Sequence, residues 1–324
     1  MKVLVVGATG QVGSQVVRLL AGRGHELRAL IRSPNRPVRD VPDGVQHLVG
    51  DLGDSASMRR ALDGVDAVVN TANGILPRGG GRSLDPSDGL VTLAEEAGVT
   101  RFVQASVPVH PLDRSVPELV AKRRIEARLA DSPMASIVVR NPAFMDVWLP
   151  LVGARRALGT DPHASLRRPF GFLRTWLWLA GDLAERWGLV LAPGGAQHGS
   201  PLIATRDVAE LLAAAVDAPT RGAQVWEAGG PAWVTWREVA TELGARTGRR
   251  MWIVPVPRRL VGLSRWVAGL VSPSVANVLG LLELVASYQP RWEGADVVRE
   301  HGLRPQLTVG AYLDATLGPV VGQG

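Results

Sequence analysis

The residues with the clearest chemistry lie at the start of the chain. Gly7-Ala8-Thr9-Gly10-Gln11-Val12-Gly13 follows an apolar run, Lys2–Val6, and opens a helical pattern. Small residues at this spacing let the backbone approach a pyrophosphate. The helix start adds N–H donors at the positive end of its dipole. Gly7, Thr9, Gly10, Gln11, Val12 and Gly13 are the candidate phosphate cradle; the alternative is a tight turn with no ligand. A second apolar run ends in Leu30-Ile31-Arg32-Ser33, with Arg36 soon after. Sites that favour NAD place an acidic residue there for the ribose hydroxyls. A guanidinium instead binds a 2′-phosphate bidentately. Arg32 and Arg36 therefore point to NADPH over NADH, against the plainer reading of solvated loop arginines. Asp51, followed by Leu52, stands where a carboxylate would accept from an adenine amino group, or where a helix starts. Thr71, Ala72 and Asn73 follow the fourth run and suit a dinucleotide crossing the strand ends.

Elements that position these residues are legible from periodicity. Strands are expected at Lys2–Val6, Glu26–Ile31, Val45–Val49, Ala67–Asn70, Arg101–Ala105 and Ser136–Val139. Helices are expected near Gln11–Ala21, Ser55–Leu62, Ser83–Ala97 and Ser115–Ala130. The alternation argues for an α/β fold with a doubly wound parallel sheet. Beyond Pro142 the pattern turns irregular. A helix is expected from Thr205, capped by that residue, then strands at Gln224–Glu227 and Met251–Val254 around a helix near Thr235–Thr247. The expected division is a dinucleotide-binding core over 1–145 and a smaller, mixed, mostly helical substrate lobe over 146–324, segments of which may rejoin the core. Residues 164–187 are a candidate two-helix lid over a cleft.

Composition narrows the classes. The 324 residues include no cysteine, which removes a disulfide scaffold, thiolate metal sites and a cysteine nucleophile. Its absence is compatible with a reducing cytoplasm, the expected location. Net charge is only +6, with no basic arm, so nucleic acid is not an expected partner. The six histidines are scattered and show no metal-ligand spacing. The N-terminus lacks the layout of a signal peptide. Residues 176–192 and 260–288 are the most apolar stretches, and both carry charges. They read as amphipathic helices packed on a core, or as a lid or membrane-surface element, without stable membrane insertion. Oligomeric state is not legible.

The chain resembles the short-chain dehydrogenase/reductase superfamily in its atypical, NmrA-like branch. The resemblance covers about residues 1–145 and rests on Gly7–Gly13, Asp51-Leu52, Val103–Val107, Lys122 and Arg140-Asn141-Pro142 followed by Phe144. It implies a Rossmann core, a nicotinamide cofactor and a substrate cleft under the C-terminal lobe. It also implies a catalytic Ser, matched by Ser106, and a Tyr-x-x-x-Lys, of which Lys122 matches the lysine. Glu118 stands where the tyrosine belongs. Only two of the 36 basic residues are lysine, Lys2 and Lys122. A lysine held here, beside Arg123 and Arg124, argues that a compact ammonium is needed, with a surface lysine as the alternative. Glu118 serves as a proton donor only if burial raises its pKa; otherwise it is structural. Ser106 and His110 are the nearest other candidates.

Two mechanisms follow. In one, hydride passes to a carbonyl whose oxyanion is held by Ser106 or by the substrate's own neighbouring hydroxyl. In the other there is no chemistry, and the chain senses dinucleotide or holds it as an accessory subunit. Asn141, Pro142, Phe144 and Met145 lie where the family meets the nicotinamide. Trp148, Trp176, Trp178 and Trp187, with Phe170 and Phe172, offer stacking surfaces for a flat aromatic substrate; ordinary packing is the alternative. The expectation is an NADPH-dependent ketoreductase of a bulky aromatic small molecule. The resemblance extends to actinobacterial enzymes of aromatic polyketides such as angucyclinones, and a quinone reductase is the second enzyme reading.

Overall fold

The computed structural model describes residues 1–72, 87–169, 171–287, 292 and 296–320. In chain order, the first part comprises β1 (Lys2–Val6), α1 (Gln11–Gly22), β2 (Glu26–Ile31), β3 (Gln46–Val49), α2 (Ser55–Leu62), β4 (Ala67–Asn70), α3 (Ser87–Glu96), β5 (Arg101–Ser106), α4 (Pro117–Ala130) and β6 (Ala135–Arg140). There follow α5 (Met145–Leu151), α6 (Gly171–Ala180), α7 (Leu183–Trp187), β7 (Leu189–Pro193), β8 (Gly199–Ser200), α8 (Thr205–Asp217), β9 (Ala223–Glu227), β10 (Val234–Thr235) and α9 (Trp236–Thr247). The last elements are β11 (Trp252–Val256), α10 (Arg258–Gly269), α11 (Pro273–Ser287), α12 (Asp296–Glu300) and α13 (Val309–Leu317). Part of the expected Ser83–Ala97 helix lies outside the described residues, and α3 begins at Ser87.

The chain forms two compact units. One holds Met1–Asn141, Arg206–Ala228 and Val297–Leu303; the other holds Pro142–Thr205, Gly229–Asp296 and Arg304–Gly324. The first unit carries a seven-stranded sheet ordered β3-β2-β1-β4-β5-β6-β9, with every pairing parallel. Residues Val3–Val6 and Ala67–Val69 are buried. Strands covered on both faces read as unbroken apolar runs rather than alternation, which is why β1 and β4 stand out in the sequence. Leu4, Val68, Phe102 and Val138 share a core with Met58, Leu62, Leu90, Ile125 and Leu129. Register sets the strand ends side by side: Val6 opposite Asn70, Asn70 opposite Gln104, Ser106 opposite Arg140, and Arg140 opposite Glu227. The Arg101 side chain donates to the carbonyls of Ala215 and Ala218, which ties the end of α8 to β5.

In the second unit Met145, Leu149, Val190, Trp236, Leu243 and Leu313 form the core. Thr235 and Glu238 make a reciprocal capping box at the start of α9. Helix α8 begins at Thr205 as expected, but its first amide donates to Asp146 Oδ2 at 2.9 Å. Burial raises the Asp146 pKa, while the Thr205 amide and hydroxyl work against that rise. The reading of residues 260–288 as helices packed on a core needs correction for α10. Helix α11 contacts β7 and β8, whereas α10 itself buries only Val261. Among the described residues, no helix is long and apolar enough to cross a membrane.

Candidate functional site

The site is built at the carboxyl ends of β1, β4, β5 and β6. Gly7 has φ +80°, and a Cβ there would lie 2.7 Å from Thr71 Oγ1 and 2.8 Å from the Ala72 nitrogen. At Gly13 a Cβ would meet the Gly7 carbonyl oxygen at 2.3 Å. Both positions require glycine, one for backbone handedness and the other for close helix–strand packing. Gly10 caps α1 in an extended conformation, with no side-chain cap and no acidic residue in the first turn. The first amides of α1 therefore lack the carboxylate caps that serve other helices, and an anion suits them.

Thr71 locks the turn, its amide and hydroxyl each donating to the Val6 carbonyl at 2.9 Å. Asn70 is buried, donates to Gln104 Oε1 at 2.9 Å and accepts from the Ala72 amide. Asp51 Oδ1 accepts from the Gly53 amide at 2.8 Å, so one of its oxygens builds the loop before α2. Leu52 packs against the core of the first unit. Arg32 and Arg36 are exposed. Asn73 lies outside the described residues.

Helix α4 carries the charged residues. Lys122 is only 3% exposed and donates to the carbonyls of Ala105, at 3.2 Å, and Ala72, at 3.4 Å. Its ammonium thus sits between the ends of β4 and β5. Glu118, also buried, lies in the first turn of α4, just after Pro117. A carboxylate there is favoured by the helix dipole, a structural reason for its presence.

Ser106 is 1% exposed, and its hydroxyl donates to Glu126 Oε1 at 2.5 Å. Arg140 forks onto both Glu126 oxygens, at 2.7 and 3.3 Å, and reaches Glu227 at 2.8 Å. Arg123 pairs with Glu126 and with Asp113. Burial works to raise the Glu126 pKa, but hydrogen bonds from Arg140 and Ser106 and the charge of Arg123 outweigh it and hold the carboxyl below its ordinary range. The Arg140 guanidinium is correspondingly shifted up: burial opposes this, and Glu126 and Glu227 overcome it. Sequence reasoning missed Glu126. The signal was present, because Glu118, Lys122 and Glu126 recur every four residues on one face of α4.

The Ser106–Glu126 pairing changes the expected role of the serine. A hydroxyl carries one proton, and here it is given to a carboxylate. Ser106 thus presents acceptor lone pairs rather than an oxyanion donor. His110 is also committed locally, its Nδ1 accepting from the Leu112 amide at 3.0 Å. Asn141 Oδ1 is buried and has no hydrogen-bond partner among the described residues. An amide donor is what that oxygen lacks, and a nicotinamide carboxamide carries one. The glycine turn, the uncapped start of α1 and this orphaned oxygen fit a nicotinamide dinucleotide. Among the described residues no His, Asp or Glu group could hold a metal.

The proposed substrate residues lie in the second unit, apart from His110. Phe144 caps α5 and forms a bridge with Ile203. Met145 is fully buried in that unit's core, and Trp148 packs against it. Trp176 donates its indole N–H to the Leu151 carbonyl and stacks on Phe172 at 6.4 Å. Trp178 is 76% exposed. Phe170 lies outside the described residues. Tyr312 donates to the Ala157 carbonyl at 2.6 Å. Burial, with the Asp146 charge beside it, pushes the Tyr312 phenol well above its ordinary pKa.

An all-parallel sheet in this order, with a glycine turn after β1, defines a dinucleotide-binding Rossmann protein. Residues 7–158 match the family model for NAD(P)H-binding domains. That segment is similar to NAD(P)H-binding domains, and the whole chain has a Rossmann-like α/β fold. An NAD(P)H azoreductase from Xenophilus azovorans is 28% identical over 247 residues, covering 76% of this chain and 74% of that protein. Sterol demethylase protein B from Methylococcus capsulatus is 37% identical over 112 residues, 33% of this chain. The match spans only 34% of that protein's length. In three dimensions the chain is similar to an Escherichia coli NADPH-dependent quinone oxidoreductase complexed with NADPH, with a TM-score of 0.70 and 19% identity. That match covers 96% of this chain and 97% of the other.

Proposed function

We propose that the chain is an NADPH-dependent reductase of flat, conjugated carbonyl compounds, and that a quinone suits its residues best. One observation carries this reading: the site keeps a buried Lys122 while the neighbouring Ser106 gives its proton to Glu126. When bound, NADPH supplies hydride from C4 of its nicotinamide ring. Gly7–Gly13 and the start of α1 would hold the pyrophosphate, Arg32 and Arg36 the 2′-phosphate, and Asn141 the carboxamide. Lys122 would donate to the ribose hydroxyls and keep a positive field beside the reacting oxygen.

The proton decides between acceptors. An isolated ketone becomes an alkoxide, whose parent acid is about as weak as water. That product needs a donor aimed at it, and Ser106, whose proton goes to Glu126, is not a ready one. A quinone becomes a hydroquinone anion, a phenolate whose parent acid lies near about 10, as for tyrosine. Such a product leaves as the anion or takes its proton from water. An azoreductase and a quinone oxidoreductase among the similar proteins support the same class. The Ser106–Glu126 pairing also favours a second acceptor, an aromatic ketone flanked by its own phenol, as in angucyclinone-type polyketides. There the substrate brings the proton.

NADPH consumption with quinones, azo dyes and aromatic ketones, each ketone with and without an adjacent hydroxyl, tests the proposal. Quinone turnover supports the first reading. Turnover confined to hydroxyl-flanked ketones moves the assignment to the second. Tight NADPH binding without turnover of any compound overturns both in favour of a dinucleotide sensor or accessory subunit.

A further inference from the structure

An exposed apolar surface lies on α10 and the turn that follows it. Leu260, Leu263, Trp266, Val267, Leu270 and Val271 are each between 49% and 86% exposed. They recur at helical spacing, so one side of the helix is apolar along about 17 Å. The opposite side is fixed inward. Val261 is buried, and Arg265 pairs with Glu283 of α11 at 3.0 Å, with Arg258 at 3.8 Å from the same carboxylate. This internal ion pair orients the hairpin and leaves the apolar stripe facing out. Leu270 and Val271, the most exposed pair, form its tip before α11 begins at Pro273. A contiguous apolar surface of this kind marks a place where something docks.

Charge selects the occupant. Residues 258–272 carry three arginines and no acidic residue, and Glu283 offsets only one of them. A second copy packed on this face would meet the same arginines and no acidic residue within 258–272, so the face lacks charge complementarity to itself. An anionic bilayer satisfies both features, since apolar side chains enter the acyl boundary while arginines meet headgroup charges. We propose that α10 docks the protein peripherally on anionic lipid bilayers, with Trp266, Leu270 and Val271 seated in the interface and Arg259 at the headgroups. The proposal is independent of the reductase reading.

The test uses the full chain with vesicles of phosphatidylglycerol and phosphatidylcholine, against vesicles of phosphatidylcholine alone. Co-sedimentation is expected with the anionic vesicles, and at least tenfold less without phosphatidylglycerol or at high salt. The double variant Leu270→Asp/Val271→Asp should release the protein while leaving NADPH affinity unchanged, which reports an intact fold. Should that variant lose NADPH binding, Arg259→Glu, at an exposed position, decides by the same readout. Equal vesicle binding by wild type and the folded variants overturns the proposal. So does failure of the wild type to bind any vesicle. A concentration-dependent dimer that the variants abolish, with no vesicle binding, overturns it in favour of a second copy.

Discussion

Ser106 Oγ lies 2.5 Å from Glu126 Oε1, and the serine is the donor. The hydroxyl at the end of β5 is thereby tied into a cluster with Arg123 and Arg140, and it has no proton left for a substrate oxygen. Removing it should cost little chemistry. Ser106→Ala is expected to lower kcat by less than about tenfold, whereas loss of a true oxyanion donor costs about 10²–10³-fold. Steady-state kinetics with the best quinone distinguishes the two, and a hundredfold loss would restore the serine to a catalytic role.

Glu126 should matter through stability and its pH dependence. Its folded pKa lies below the ordinary glutamate value, so its contribution is present above that value and lost as pH falls through the folded one. Unfolding midpoints should therefore drop on acidification below about pH 4.3, the ordinary glutamate pKa. Glu126→Gln should remove this component and leave two half-buried guanidinium groups with one partner fewer, destabilising the fold by about 2 kcal/mol near neutral pH. Denaturant titrations of both proteins across the acid range check the sign.

Lys122 is expected to act on the dinucleotide. Its buried ammonium touches the carbonyls of Ala105 and Ala72 at the strand ends, and a guanidinium is larger, planar and differently hydrated. Lys122→Met should weaken NADPH binding by about 10–100-fold, the scale of a charged hydrogen bond, and Lys122→Arg should not rescue it. Titration calorimetry gives both values; full rescue by arginine would show that charge alone suffices.

Arg32 is exposed at the end of β2. Replacing it with Glu should reverse the cofactor preference by weakening NADPH at least tenfold and leaving NADH nearly unchanged. The ratio of the two dissociation constants before and after substitution is the measurement.

The sequence was most readable where one physical cause acts alone. Strands β1 and β4 are buried on both faces, and the glycine turn has only one backbone solution, so both were evident from residue type and spacing. Lys122 stood out because lysine is so rare in this chain. What escaped were relationships that depend on the third dimension. Glu126 is one charge among several on α4, and only the register of β5 and β6, which sets Ser106 beside Arg140, singles it out. Asp146 carries no local signal, because the helix it caps begins 59 residues later. On α10, apolar periodicity predicted burial, and the same pattern serves a helix whose apolar side faces outward.

The most direct test of the central claim is NADPH consumption by the protein with a soluble quinone, compared with the Lys122→Met variant. The account predicts turnover by the wild type and at least tenfold less by the variant at equal quinone and subsaturating NADPH. Tight NADPH binding by the wild type with no turnover of any quinone would contradict it.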